Sequence, residues 1–260
     1  MSSYAQTSKL YCHVKKGASG KTIIESMFFT PPLKIIAPFY ENDMANIMLL
    51  NVSAGLMAGD MQTINFDIDT QARVKITSQS YEKIHNTQDS LAMRNTTLNL
   101  ANDALLVYTP LPCIPFANSS FKNTTTIHLQ EDSKLYYGEI FCAGRIARDE
   151  IFAFKHFHQR LFIYQNNALI FYDNMNLKPD SINLTNLCAF HTFTHYLHFV
   201  IYDKNINVEK LQSIIEDSKT YTALSLHNDM IIIKALANES EDLLELQKKL
   251  YECIYNLNSY

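Results

Sequence analysis

Apolar and polar residues alternate with a period of two along most of the first two hundred positions. From Met61 to Ile68, the residues Met61, Thr63, Asn65 and Asp67 alternate with Gln62, Ile64, Phe66 and Ile68. Further on, Ala72, Val74 and Ile76 face one way and Arg73, Lys75 and Thr77 the other, which is the pattern of half-buried strands. Leu10–Val14, Thr22–Phe28, Met48–Val52, Thr96–Leu100, Ala104–Tyr108, Thr124–Leu129, Ser133–Ile140, Arg160–Tyr164 and Ala168–Tyr172 read as strands too. Lys15 to Gly20 is a hairpin signal, and Asn102-Asp103, Glu131-Asp132 and Asn166-Asn167 supply turns between later pairs. Thr30-Pro31-Pro32 stops the pattern, because neither proline can donate to a ladder. Short strands at this spacing predict an all-β body, either a sandwich or a stack of sheet turns, with no fixed repeat length.

The period changes over the last sixty or so residues. After a strand at Leu197–Tyr202, Asn207 is placed to cap a helix with Val208, Leu211, Ile214 and Ile215 on one face. Tyr221–Leu226 and Met230–Ala235 read as strands, and Ser240 as the cap of a last helix carrying Leu243, Leu246, Leu250, Cys253 and Leu257 on one side. The fold class is therefore mainly β, with a small C-terminal α/β part containing two helices. Periodicity is lost between Asp173 and Thr185, where Asn, Asp and Pro cluster. That divides the chain into a β body, residues 1–180, and a C-terminal segment, 181–260, packed on it as one compact unit.

Composition narrows the function classes. Net charge is −4, and the 22 basic and 26 acidic residues form no long runs, so neither a nucleic-acid footprint nor a polybasic membrane patch is present. Charged residues make up 18% of the chain against 15 Tyr and 15 Phe. This predicts a large aromatic core or a surface neutral enough to sit inside a complex. The N-terminus has no apolar core of signal-peptide length and no stretch approaches a membrane span, so a cytoplasmic location is expected. The five cysteines are scattered and odd in number, which is neither a disulfide framework nor a zinc knuckle.

Several stretches carry candidate chemistry. Ser53 to Asp60 holds Gly55 and Gly59, two of only six glycines. They mark tight turns or a close approach of backbone, and Asp60 closes the stretch where a strand begins. No Gly-Lys-Ser/Thr phosphate loop follows, and no Gly-x-Ser-x-Gly elbow exists. Ser78 and Ser80 lie near His85 in sequence, which alone is no triad. His191, His195 and His198, with Cys188 nearby, would share a face on a helix and could hold a borderline metal; Thr192, Phe193, Thr194 and Tyr196 favour extended structure, which breaks that face. Gly138 to Glu150 carries Arg145 and Arg148 with Glu139, Asp149 and Glu150. Such charges are costly to bury unpaired, so the segment reads as a salt-bridged turn, an interface or the lining of a polar passage. Leu111 to Phe116 is an apolar, proline-braced loop.

Taken together, Gly55 to Asp60, Thr77-Ser78-Gln79-Ser80 with Lys83-Ile84, Pro110 to Phe116, Glu139 with Gly144 to Glu150, and Tyr172-Asp173 closely resemble, in order and spacing, the urease accessory proteins of the UreD type. Phe29 to Pro32 and Cys188 to His198 look like the Helicobacter UreH branch of that family. The resemblance implies a β body of stacked, helically wound sheets, a β-helix-like coil with a small helical part. It implies a non-enzymatic chaperone that binds apo-urease, a helical UreF-like accessory protein and, through it, a UreG-like GTPase. A heteromer with two copies of the chain is expected, because the family's helical partner dimerises. The assembly would assist GTP-dependent delivery of nickel, held only transiently, through an internal passage to the urease active site.

Within that resemblance, Ala58-Gly59-Asp60 stands for the family's Gly-Gly-Asp, and Asp149 takes the place of a glycine in Gly144 to Glu150. Spaced carboxylates with water completing the shell hold nickel without trapping it, so Asp60, Glu139 and Glu150 are the candidate metal contacts of the passage. They could instead neutralise Arg145 and Arg148. Two rival classes remain: a structural scaffold that never touches the metal, and a soluble β enzyme using these acids. The absent phosphate loop and nucleophile elbow yield a direct expectation. Purified protein incubated with GTP or ATP, with and without nickel, should release no phosphate above the buffer rate, and turnover that persists through further purification would overturn it.

Overall fold

In a computed structural model that describes residues 7–41 and 43–257, the chain winds back and forth between two sheets. From Met44–Asn51 it crosses to Met61–Ile68, returns through Arg73–Ser78, and crosses again to Ala92–Leu100. It continues through Leu105–Tyr108, Ser120–Leu129, Lys134–Cys142 and His156–Gln165. Within each sheet these successive strands pair in parallel, so the body is a β-solenoid of stacked turns. In one sheet the turns begin at Met61, Ala92, Ser120 and His156. These intervals are unequal, which is why no repeat length can be read.

Both ends of the seven-stranded sheet reverse direction. Thr7–Lys16 lies parallel to Met61–Ile68 and then turns back antiparallel into Thr22–Phe29, as the Lys15–Gly20 signal predicts. At the other end His156–Gln165 forms a hairpin with Ala168–Leu177 through Asn166 and Asn167, both left-handed at φ 48° and 64°. Asp103 and Asp132 are left-handed as well, at φ 57° and 56°. They turn corners from one sheet to the other, because the chain after them joins the facing layer.

Inward side chains from the two sheets interdigitate into a largely aliphatic core that includes Leu10, Ile76, Leu98, Leu106, Ile127 and Val200 together with Phe66. One end of the coil is instead filled by phenylalanines, among them Phe121, Phe141, Phe152, Phe154, Phe157 and Phe190. Much of the aromatic content is thus core, while Phe28, Phe39 and Tyr221 remain exposed.

Several strands start earlier than the alternation predicts, among them those at Met44, Ala92, Ser120 and His156 instead of Met48, Thr96, Thr124 and Arg160. The last three added stretches carry Arg94, Asn123 and Gln159, which point inward. The short strands Leu33–Ile35, Phe39–Glu41, Glu82–Ile84 and Cys113–Pro115 were not anticipated, since three residues carry too little periodicity. Asp173 lies within the strand Ala168–Leu177, so order continues past the point where the pattern fades.

The C-terminal strands join the second sheet. His195–Tyr202 pairs antiparallel with Lys134–Cys142, followed by Met230–Ala237 and Tyr221–His227, giving eleven strands. The helices Val208–Glu216 and Ser240–Leu257 cover the outer face of this sheet. Asn207 caps the first by accepting the Lys210 N–H at 3.2 Å, and Leu243, Leu246, Leu250 and Cys253 are buried on the second. The side chain of Leu257 lies outside the described residues, as do residues 1–6, on which part of the leader reading falls. No described helix is long and apolar enough to cross a membrane.

Gly138 is where the last helix comes closest to the sheet: a Cβ there would sit 2.4 Å from Gln247 Nε2 and 2.5 Å from the Phe199 ring. The amide can swing aside, but the ring is fully buried and cannot. Gly138→Ala should therefore cost about 1–3 kcal/mol through overpacking, read as a lower thermal midpoint.

Candidate functional site

Register brings one layer of polar side chains together inside the coil. Ser8, Gln62, Arg94, Asn123 and Gln159 are successive partners across five strands of the seven-stranded sheet. Two residues further along, the same strands present Leu10, Ile64, Thr96, Thr125 and Leu161; two residues back lie Ala92, Phe121 and Phe157. The polar layer is thus enclosed between largely apolar levels.

The facing sheet answers it with two carboxylates. Glu82 pairs with Arg94 and accepts from Asn51 Nδ2 at 3.2 Å. Arg94 also donates from Nε and Nη2 to Gln62 Oε1, at 2.9 and 2.7 Å. Burial alone would lower the Arg94 pKa, but Glu82, with smaller contributions from Tyr108 and Cys113, outweighs it, the pKa is raised and the guanidinium stays charged. Glu139, on Lys134–Cys142, accepts from Asn123 Nδ2 at 3.0 Å and from Tyr137 Oη and Gln159 Nε2. Its partners are all neutral, so burial prevails and raises its pKa above the ordinary carboxyl value.

Glu82, Arg94, Asn123, Glu139 and Gln159 line a cavity of about 60 Å³ shared with Ser78, Tyr108 and Cys113. Glu139 borders it and keeps some accessible surface there, although protein packs around the carboxylate. Burial and the nearby Glu82 push the Cys113 thiol well up, so it is protonated near neutral pH and a poor metal ligand in that state.

Of the three candidate carboxylates only Glu139 reaches this cavity. Asp60 accepts the Met57 N–H at 2.8 Å and closes its own turn. In the same stretch Gly55, at φ 137°, lies so close to Lys83 that a Cβ would meet its carbonyl oxygen at 2.2 Å, the close approach that the glycine pair suggests. Ala58 has no positive φ, which is why alanine can stand where the family has glycine. Glu150 takes two bonds from Arg145, one of them at 2.7 Å, and one from the Ala117 N–H at 3.2 Å. Arg145 in turn lies 4.2 Å from the centre of the Phe116 ring. The hydrogen bond from Arg145 holds the Glu150 pKa below the ordinary range. Asp149 is left-handed at φ 58°, a conformation glycine reaches freely and Asp tolerates.

Extended structure, not helix, takes His195 and His198. Their odd spacing puts them on opposite faces: His195 bonds Thr194 Oγ1 through Nδ1 at 2.9 Å, and His198 points into the core, 2% exposed. Cys188 and His191 lie in the preceding loop and are exposed. Among the described residues, the three-membered group with ligand atoms close enough for a metal is His13, Glu25 and Asp69, within 4.8 Å of one another. It lies at the surface, where His13 Nδ1 meets Glu25 at 3.1 Å and Nε2 meets Asp69 at 3.0 Å. Sequence reasoning missed it because the three residues come from separate segments. The polar layer was partly legible, since Gln62 shares a face with Ile64, Phe66 and Ile68.

The architecture defines a β-solenoid protein with a buried polar layer and a helix-covered sheet. A family model described as UreD urease accessory protein matches residues 8–258. The chain is 50% identical over 250 residues to the urease accessory protein UreH of Helicobacter hepaticus, covering 96% of this chain and 99% of that one. It is 44% identical over 253 residues to UreH of Helicobacter pylori, with 96% of each covered. UreD of Acetivibrio thermocellus is 34% identical over 260 residues, with 97% and 98% covered. The chain belongs to the UreD family of urease accessory proteins, and it is an accessory protein, not an enzyme.

The Glu139 environment makes its own prediction. A carboxyl with a raised pKa binds its proton more tightly folded than unfolded, so its contribution is fully present below the ordinary value of 4.5 and is lost as pH rises through the folded-state pKa. Glu139→Gln keeps an oxygen acceptor without the charge. Its thermal midpoint should therefore rise relative to the parent above that window and match it below, as measured across a pH series.

Proposed function

We propose that this chain is a urease maturation chaperone that binds apo-urease and a UreF-like helical protein, which brings a UreG-like GTPase, and that nickel moves through its interior during GTP-dependent loading. The observation that carries this reading is the polar layer: an otherwise apolar coil keeps Gln62, Arg94, Asn123 and Gln159 in register, and Arg94, Asn123 and Gln159 line a cavity together with Glu82 and Glu139 of the facing sheet. Burying two carboxylates and a guanidinium gains no stability over an apolar layer, so a transit role gives a reason for them. Glu139, held by neutral donors, is the central contact in this reading. Asp60 and Glu150 stand at loops that brace the coil, and they serve as further contacts only if their present partners release them. The working location is the cytoplasm, and the assembly holds two copies of each accessory chain.

A second reading, a scaffold that never touches nickel, is favoured by the engagement of both Glu150 oxygens with Arg145 and by the cation Arg94 inside the cavity. Substitution separates the two. Glu139→Ala should leave the complex with the helical partner, the GTPase and apo-urease intact on a sizing column, yet lower the nickel content of the matured urease several-fold. Loss of the complex in step with nickel would establish the scaffold reading. Asp60→Ala and Glu150→Ala, made in parallel, should loosen their loops and lower thermal stability. If either lowers nickel content at unchanged stability, it too is a contact of the passage.

A further inference from the structure

Two stretches singled out in the sequence meet at one wall of the interior cavity. Ser78, Ser80 and Tyr81 line it from the loop that follows Arg73–Ser78, and Pro110 and Leu111 line it from the proline-braced loop. Ser80 is exposed and Pro110 and Leu111 are half-buried, whereas Ile64, Phe121 and Phe157, which also border the cavity, are buried. The cavity therefore comes nearest to solvent at this wall. Its backbone is pinned on both sides of Tyr81. The Leu111 N–H donates to Ser78 Oγ at 2.9 Å and the Gln79 N–H to the Leu49 carbonyl at 2.9 Å. Beyond Tyr81, the Glu82 N–H donates to the Pro112 carbonyl at 3.0 Å, and the Glu82 carboxylate pairs with Arg94.

The side chain of Tyr81 is held from elsewhere. It belongs to the cavity wall, but its hydroxyl reaches the first turn of the helix Ser240–Leu257, 3.0 Å from Ser240 Oγ and 3.4 Å from Glu241 Oε1. Ser240 Oγ lies 3.1 Å from Glu241 Oε2. Each hydroxyl has one proton to donate, so the shorter contacts form a chain in which Tyr81 donates to Ser240 and Ser240 donates to Glu241. The chain ends on a carboxylate, which strengthens its last bond. A tyrosine side chain swings between rotamers without moving its backbone. Loss of the hydroxyl contact therefore frees the ring while the pinned loop stays in place.

We propose that Tyr81 is a gate on the interior cavity, latched by Ser240 and Glu241, so that the seating of the last helix on its sheet sets access from solvent. As a control of nickel entry the gate rests on the passage reading above; as a control of access it is measured without nickel. Leu243, Leu246 and Leu250 hold the helix against the sheet, and a shift of its first turn breaks both contacts of the Tyr81 hydroxyl at once. The cavity wall is thereby tied to an element on the outer face of the protein, where a partner has access to it.

Cys113 supplies the reporter, because its thiol lines the cavity and protein packs around it. The purified full-length chain carries Cys188→Ser to remove the exposed thiol. It is treated with methyl methanethiosulfonate, and labelling of each cysteine is timed by peptide mass spectrometry. The thiolate attacks the reagent's divalent sulfur, forming a mixed disulfide and releasing methanesulfinate. Tyr81→Phe keeps the ring and removes the hydroxyl. It should speed labelling of Cys113 by about fivefold or more, the equivalent of one net hydrogen bond, while Cys12, buried in the aliphatic core, keeps its parent rate. Ser240→Ala should speed Cys113 likewise, and the double variant should be no faster than the faster single one, since both open the same latch. A Cys113 rate in Tyr81→Phe within about twofold of the parent overturns the gate. So does a parallel rise at Cys12, which marks general loosening, and so does a double variant whose gain is the product of the two. If the gate fails while Glu139→Ala still lowers the nickel content of urease, the passage stands without it. If Cys113 opens as expected and Glu139→Ala has no effect, the gate stands and the passage reading falls.

Discussion

In a coil of parallel strands, each inward side chain lies beside the residue at the same height on the turns before and after it. A charged residue inside such a stack therefore needs polar groups beside it or facing it, since a buried donor or acceptor without a partner costs about 1–3 kcal/mol and an unpaired charge more. Arg94 shows the rule. Its guanidinium is acceptable only because Gln62 stands beside it in register and Glu82 reaches it from the facing sheet. Asn123 and Gln159 then carry the same level across to Glu139, and the cavity follows from side chains that bond laterally and do not fill the space between the sheets.

The same constraint explains what could be read from the sequence. Where inward residues are apolar the alternation is clean, and the strands ending at Ile68, Leu100, Leu129 and Gln165 are visible in their aliphatic halves. The reading lost three of them at the polar level, because Arg94, Asn123 and Gln159 look like solvent-facing residues when neighbours in space are unknown. Helices depended on local signals alone, so the Asn207 cap and the Leu243, Leu246 and Leu250 stripe could be recognised. Parallel pairing is not local, so a sandwich could not be told from a coil by periodicity; family resemblance supplied that choice. Of the acids singled out, Glu139 was placed on a strand but its three neutral donors were invisible, and the bonds of Asp60 to Met57 and of Glu150 to Arg145 and Ala117 emerge only from folded loops.

Charge inside this body is handled by tethering. Arg94 sits on Glu82 near the cavity and Lys234 on Asp173 beside a surface groove, while Glu139 has only neutral donors. The interior therefore holds carboxylates of two kinds. Two are paired with a side-chain cation, and one is held by neutral donors, where burial raises its pKa.

The unequal turns of the coil have a consequence for assembly of the chain itself. Repetitive solenoids are prone to slip, because one turn stacks nearly as well as the next. Here a displacement of two residues would set Arg94 against the level of Phe121 and Phe157, away from Gln62 and Glu82, and leave a buried guanidinium unpaired at a cost of about 3–5 kcal/mol. The polar level is a registration mark, which lets a coil without any repeat find a single alignment.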